Sequence, residues 1–343
     1  MAVLVTGASG FIAQYVVNYL LKENYKVIGT VRSQEKATKS HKLFGNPPNL
    51  SFEIVPDISL LDAFDHVFEK RAKEIDVVLH TASPIFFDTM SYEKDLLVPA
   101  LHGTQGILNS IKKYAAQTVK NVVITSSFAA IMDISKAFDS SATFTEKDWS
   151  PATWEGCQTD VLSAYFGSKK FAEEFAWKFL NENRSVVSFK MSTINPTFVF
   201  GPQLFEENVK KHLNASNKFI NALLHSQPGS NKLEPDFHSE SVDVRDVAKA
   251  HLAAFQNPKT ADCRLGVNYG PLCAQDVLNV LNARFPQLKG RIAVGPNPGE
   301  SDPTPGCFFD DRLSREILGS PSINLEQTVY DTASQILRAE GRL

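Results

Sequence analysis

The chain has 343 residues, 43% of them hydrophobic and 21% charged, with a formal net charge of −3. That size and composition suit a soluble protein of one large or two intimate domains, and the mild negative charge provides no basic field to attract nucleic acid or an anionic membrane. No apolar run reaches the roughly 18 residues that span a bilayer, no charged segment precedes the N-terminal MAVLV, and Cys157, Cys263, Cys273 and Cys307 are too scattered for a zinc site or a disulfide framework.

Short β-branched runs alternate with longer helical patterns through the first half, the signature of an α/β fold with a Rossmann-like, doubly wound parallel sheet. Strands are predicted at 2–6, 26–31, 51–56, 76–82, 120–127 and 187–196. Between the first two, Ile12, Val16 and Leu20 recur at helical spacing, with Val17 and Leu21 beside them, and form one buried stripe. Further helices are read at 60–74, 92–116 and 163–183, with Pro99 marking a start or a kink. Beyond residue 200, helical patterns at 205–225, 244–256, 274–284, 310–318 and 323–340 are separated by Pro- and Gly-rich connectors. The expected organisation is a dinucleotide-binding domain mainly over 1–195 and a smaller C-terminal substrate lobe mainly over 196–343. Residues 240–270 are expected to return to the first domain.

The octapeptide TGASGFIA (6–13) sits at the first strand-to-helix turn. Gly7 can make the tight turn, Gly10 lets the helix N-terminus approach a pyrophosphate, and Ala13 keeps helix and strand close. Ala8, Ser9, Phe11 and Ile12 complete this cradle. The second strand runs into Arg32, with Lys36 one helical turn later and no acid before Glu35. A guanidinium binds a 2′-phosphate where a carboxylate would repel it, so the expected cofactor is NADPH/NADP+. Asp57 and Ile58, after the third strand, can contact the adenine, while Thr81, Ala82 and Ser83 are small enough for the dinucleotide to lie across them.

Ser127 ends the fifth strand, and Tyr165 and Lys169 stand four residues apart on a helix, hence on one face. A phenol is a poor acid or base at neutral pH, but an ammonium alongside favours its phenolate. At about 4 Å and an effective dielectric of about 20, that attraction is roughly 4 kcal/mol, or about 3 pKa units. Tyr165 is therefore read as the general acid of a carbonyl reduction, Ser127 as the hydrogen-bond donor that holds and polarises the oxygen, and Lys169 as the group that tunes Tyr165 and holds the nicotinamide ribose.

Through TGASGFIA, Ser127, YFGSK, NPTFVFGP (195–202) and VDVRDVAKAH (242–251), the chain resembles the extended short-chain dehydrogenase/reductase family. HTASP (80–84), VRSQEK (31–36), PATWEGCQ (151–158), KKHLNAS (210–216) and DTASQIL (331–337) are similar to the dihydroflavonol reductase branch, and within it to fungal NADPH-dependent methylglyoxal/3-methylbutanal reductases. The resemblance implies cofactor contacts at residues 7–12, Arg32, Lys36, Asp57, Ile58, Tyr165, Lys169, Val199 and Ser216. One departure is Ala100, which stands where many extended members have an asparagine, so a water or backbone carbonyl would have to complete any proton relay from Lys169.

Ile85, Phe86, Phe128, Met132, Phe166 and Phe198 are expected to face the nicotinamide. This set is apolar and suits aldehydes, ketones, keto esters and α-dicarbonyls. Two other readings stay open on sequence: a nucleotide-sugar epimerase or dehydratase with tightly held NAD, and a non-catalytic NADP(H)-binding regulator. The protein is expected to be cytoplasmic and a monomer or homodimer, with a small-molecule carbonyl substrate and no metal, nucleic-acid or membrane partner.

Overall fold

In the computed structural model, which describes residues 1–83, 88–209, 213–301 and 306–343, the N-terminal half follows a βα rhythm. In order come β1 (Ala2–Thr6), α1 (Phe11–Lys22), β2 (Lys26–Val31), α2 (Gln34–Leu43), β3 (Leu50–Ile54), α3 (Asp65–Arg71), β4 (Ile75–His80), α4 (Val98–Tyr114) and β5 (Asn121–Thr125). There follow β6 (Thr143–Thr145), α5 (Val161–Asn183), β7 (Lys190–Pro196), β8 (Phe198–Phe200), α6 (Asn217–Leu224), β9 (His238–Asp243), α7 (Val244–Gln256) and β10 (Arg264–Val267). The chain closes with β11 (Gly270–Cys273), α8 (Ala274–Arg284), β12 (Phe308–Asp310), α9 (Arg312–Leu318) and α10 (Leu325–Ala339).

Seven strands form one sheet in the order β10-β7-β5-β4-β1-β2-β3, and each neighbouring pair is parallel. β1 is buried at all five positions, as a strand covered on both faces must be. On one face Val16, Val17 and Leu20 of α1 pack with Val247 and Ala248 of α7; on the other, Phe68 of α3, Ile107 and Ile111 of α4 and Leu180 of α5 fill the second layer. The winding reverses between β1 and β4, so their carboxyl ends open a crevice at the switch point, where such sheets bind ligands.

A second core gathers α6, α8 and α10 around Ile220, Leu223, Val277, Leu281, Val329 and Ile336, beside a three-stranded sheet β11-β9-β8. Asp243, Arg245 and Asp331 tie this part to α7. Asp243 caps α7 and accepts from Arg245 Nε at 2.8 Å, while Arg245 Nη1 donates to Asp331 at 2.6 Å. Much of the VDVRDVAKAH and DTASQIL motifs is thus scaffold. No helix among the described residues is long and apolar enough to cross a membrane.

Several elements depart from the sequence expectation for local reasons. The helix α2 carries no apolar stripe in the sequence, because only Ala37 and Ser40 of its ten residues are buried; Ser33 caps it, Glu35 lies in its first turn and Lys42 in its last. The segment 60–74 is helical only over Asp65–Arg71, and 205–225 only over a short 3₁₀ turn, Glu206–Asn208, and Asn217–Leu224, with 210–212 outside the described residues. Residues 308–310 pair in parallel with β6 before α9 begins. Pro99 falls in the first turn of α4, directly after a π-helical turn at Glu93–Leu97.

Candidate active site

The first turn of the fold is built for close approach. Gly7 has φ +64°, and a Cβ there would stand 3.1 Å from the Cα and Cβ of Ala82, which follows β4 across the crevice. The left-handed dihedral favours glycine, and the space for a Cβ is tight. The amide of Gly10 donates to Gly7 O at 2.8 Å and that of Ala8 to Thr30 O at 2.9 Å, which fixes the loop. Gly10 is the N-cap of α1, no side chain caps that helix, and no acid lies in its first turn. Ser9, Gly10, Phe11 and Ile12 thus present the positive end of a helix to solvent, while Ala8 and Ala13 are buried against the sheet.

Arg32 and Lys36 are both exposed, at the end of β2 and in the first turn of α2. Arg32 lies near enough to Asp57 for its charge to help hold that carboxyl below the ordinary range, after the larger contributions of the Ser59 hydroxyl and amide. Asp57 Oδ1 accepts from Ser59 N at 2.8 Å and Ser59 Oγ at 2.6 Å, an Asx turn, while Ile58 lies against Gly103 of α4. Thr81, Ala82 and Ser83 are partly exposed along the crevice. Val199 and Ser216 meet directly: the Ser216 hydroxyl donates to the Val199 carbonyl and accepts from Asn214 Nδ2 at 2.6 Å.

At the carboxyl ends of β4 and β5 the structure brings Ser127, Tyr165 and Lys169 together. Ser127 caps a 3₁₀ turn (Phe128–Ala130), its Oγ accepting from Ala129 N at 3.1 Å and hydrogen-bonding to the Tyr165 side chain. The helix α5 is started by Asp160, whose carboxylate accepts from the amides of Leu162 and Ser163 at 2.9 Å. Gly167 lets this helix pass Cys157, whose Sγ would collide with a Cβ at that position. Lys169 Nζ is 5.7 Å from the centre of the Tyr165 ring.

The electrostatics differ from the sequence expectation. Burial raises the Tyr165 phenol above its ordinary value, and the Ser127 hydrogen bond offsets this only in part. Burial also lowers the Lys169 ammonium to about 8, and among the described residues no carboxylate pairs with it. Desolvation is the largest influence on each group, and the attraction expected from spacing alone does not bring the phenol down. The phenol is protonated at neutral pH, the form a general acid needs.

His80, at the end of β4, was not singled out by sequence. Thr6 Oγ1 accepts from the amides of Thr81 and Ala82, each at 3.1 Å, so its own hydrogen goes to His80 Nδ1 at 2.9 Å and the ring proton sits on Nε2. Burial and then the nearby Lys169 charge push the imidazole down to about 3. A neutral histidine beside the lysine adds no second positive charge. Ala100 is buried on α4, 5% exposed.

The described members of the expected substrate set divide between two places. Phe128 and Met132, each 7% exposed, pack with Ile131, Cys307 and Phe309, and Phe128 stacks on Phe309 with ring centres 4.4 Å apart. Phe166 lies against that cluster, whereas Phe198 packs edge-on to Phe200 and Phe219 in the second core. Phe128 and Met132 thus spend most of their surface on packing, and Phe166 and Phe198 keep more of theirs accessible. Ile85 and Phe86 lie outside the described residues.

A profile described as the NAD dependent epimerase/dehydratase family matches residues 3–270. The chain is 55% identical to the NADPH-dependent methylglyoxal reductase GRE2 of Saccharomyces cerevisiae, over the whole of both proteins. Its fold matches the crystal structure of yeast methylglyoxal/isovaleraldehyde reductase Gre2 complexed with NADPH with a TM-score of 0.96 and 54% identity, covering 100% of each chain. It matches Candida albicans Gre2 in complex with NADPH with a TM-score of 0.93 and 46% identity, covering 99% of each. With that profile over most of its length and relatives of this similarity over all of it, the chain belongs to the NAD dependent epimerase/dehydratase family of extended short-chain dehydrogenases and reductases.

Proposed function

We propose that this protein is an NADPH-dependent carbonyl reductase that converts aldehydes, ketones, keto esters and α-dicarbonyls, of the methylglyoxal and 3-methylbutanal type, to alcohols. The observation that carries the reading is the meeting of Ser127, a protonated Tyr165 and a buried Lys169 beside the Gly7–Ala82 crevice. The full-length likeness to a methylglyoxal reductase supports it. On the same reading, residues 1–195 mainly form the cofactor-binding domain, to which 240–270 returns, the remainder of 196–343 mainly forms the substrate lobe, and the protein works in the cytoplasm as a monomer or homodimer.

The cradle fits a dinucleotide: Gly7 leaves room where a Cβ would meet Ala82, and the uncapped start of α1 suits a pyrophosphate. Residues 7–12, with Thr81, Ala82 and Ser83, would hold the phosphates and ribose, Arg32 and Lys36 the 2′-phosphate, Asp57 and Ile58 the adenine side, and Val199 and Ser216 the nicotinamide side. When bound, NADPH supplies the hydride. Ser127 and Tyr165 share the carbonyl oxygen, and Tyr165 transfers its proton to that oxygen. The resulting phenolate is stabilised by the Lys169 ammonium. Phe166 and Phe198, with Ile85 and Phe86, would give the substrate an apolar wall, and Phe128 and Met132 would support it from behind.

An epimerase of the same fold would retain NAD, for which the end of β2 offers no carboxylate, only Arg32. Arg32→Ala is expected to reduce kcat/KM for NADPH about 10- to 100-fold and that for NADH by less than about threefold, the loss of a charge-assisted phosphate contact. Steady-state kinetics with both cofactors checks this. An unchanged preference in the variant would refute the assignment of Arg32.

A further inference from the structure

Behind the Ser127–Tyr165 pair lies a second polar cluster that the proposed chemistry does not use. Glu173 stands on α5 four residues beyond Lys169 and eight beyond Tyr165, on the same helix face, and is 1% exposed. Its Oε1 accepts from Arg264 Nε at 2.6 Å, Thr193 Oγ1 at 3.0 Å and Trp177 Nε1 at 3.2 Å. Its Oε2 accepts from the Ser126 hydroxyl and from Asn195 Nδ2 at 2.7 Å. A buried carboxylate is costly unless it is paired and surrounded by donors, and this one gathers them from α5, β7, β10 and Ser126, the residue after β5, at a single point.

The connection to Ser127 runs through Asn195, which is fully buried. One hydrogen of its Nδ2 serves Glu173 and the other goes to the backbone carbonyl of Ser127 at 3.2 Å. That carbonyl also accepts from Ala130 N at 3.0 Å, so both of its lone pairs are engaged. Arg264 holds the same segment from the other side. Its Nη1 donates to the carbonyls of Glu146 and Asp148 at 2.9 and 2.5 Å, its guanidinium lies 3.8 Å over the Trp149 ring, and Ser150 N donates to Ala130 O at 3.0 Å. The backbone of Ser127–Ala130 is thereby pinned to the helix that carries Tyr165 and Lys169. For a hydroxyl that must meet both a phenol and a substrate oxygen, an error on the order of 1 Å costs about 100-fold in rate.

We propose that Asn195 and Glu173 are positioning residues for the reduction, acting through Ser127 rather than on the substrate; this rests on the catalytic role given to Ser127 above. The test is a double-mutant cycle of Asn195→Ala with Ser127→Ala, read as kcat and KM for a small aldehyde with NADPH, together with NADPH Kd and Tm. Asn195→Ala alone is expected to lower kcat about 10- to 100-fold with NADPH Kd within about threefold, and in the Ser127→Ala background to lower it by less than about threefold further. Independent, multiplying losses would overturn the inference and leave the role of Ser127 standing. A Ser127→Ala enzyme with nearly full kcat would overturn both. If Asn195→Ala does not fold, Glu173→Gln, which preserves volume, enters the same cycle with the same expected non-additivity.

Discussion

Tyr165→Phe is expected to lower kcat for aldehyde reduction about 100- to 10,000-fold, the range associated with a single general acid, while NADPH Kd stays within about threefold. The substitution removes only the hydroxyl, so the ring retains its edge-on contact with Phe166 and the fold should persist. The size of the effect follows from the site's design. Burial keeps the phenol protonated, and Ser127 orients it, so the proton is present before the carbonyl arrives. Stopped-flow measurement of NADPH oxidation checks this, and a loss of only a few-fold would remove Tyr165 from the acid role.

Lys169→Met is expected to move activity and stability in opposite directions. Activity should fall about 100-fold or more, because the phenolate left after proton transfer loses its only adjacent cation among the described residues. Stability should rise. A lysine whose folded value is lowered to about 8 is destabilising wherever it is charged in both states, that is, below about pH 8; this penalty fades as pH rises towards the unfolded value of 10.5. A displacement of that size corresponds to about 3 kcal/mol at neutral pH, roughly 2–5 °C in Tm, part of which a buried methionine should recover. The wild-type pH profile carries the same signature: reduction should be level below neutrality and decline above about pH 8 as Lys169 loses its charge. A variant with lower Tm, or a profile level to about pH 9.5, would count against the assignment.

Much of this was legible in the chain because it depends on local order. The apolar runs of β1, β4 and β5 state their burial directly, and Gly7 and Gly10 sit where a strand meets a helix. The pairing of Tyr165 with Lys169 needs only the pitch of a helix. What sequence could not reveal depends on contacts between distant segments. Spacing put the lysine near the tyrosine, but the sign of the phenol's shift depends on how much water the folded site excludes. The sequence reads Phe128 as a pocket residue, whereas Phe309, brought back by the short pairing of β12 with β6, stacks on it. Glu173, Asn195 and Arg264 converge from three elements. Of these, only Glu173 left a local signal, an acid on the buried face of α5, and Asn195 lay unexplained within NPTFVFGP. His80 gained its meaning from the Thr6 hydroxyl on a neighbouring strand.

The most direct test of the proposed function is oxidation of NADPH at about 340 nm by the purified wild-type protein with methylglyoxal or 3-methylbutanal, alongside the same reactions with NADH and with Tyr165→Phe. Substrate-dependent consumption of NADPH, stoichiometric alcohol formation, a marked preference over NADH and near-complete loss in the variant are expected. No consumption with any aldehyde or ketone of that class, or tightly bound NAD released on denaturation, would contradict the proposed function.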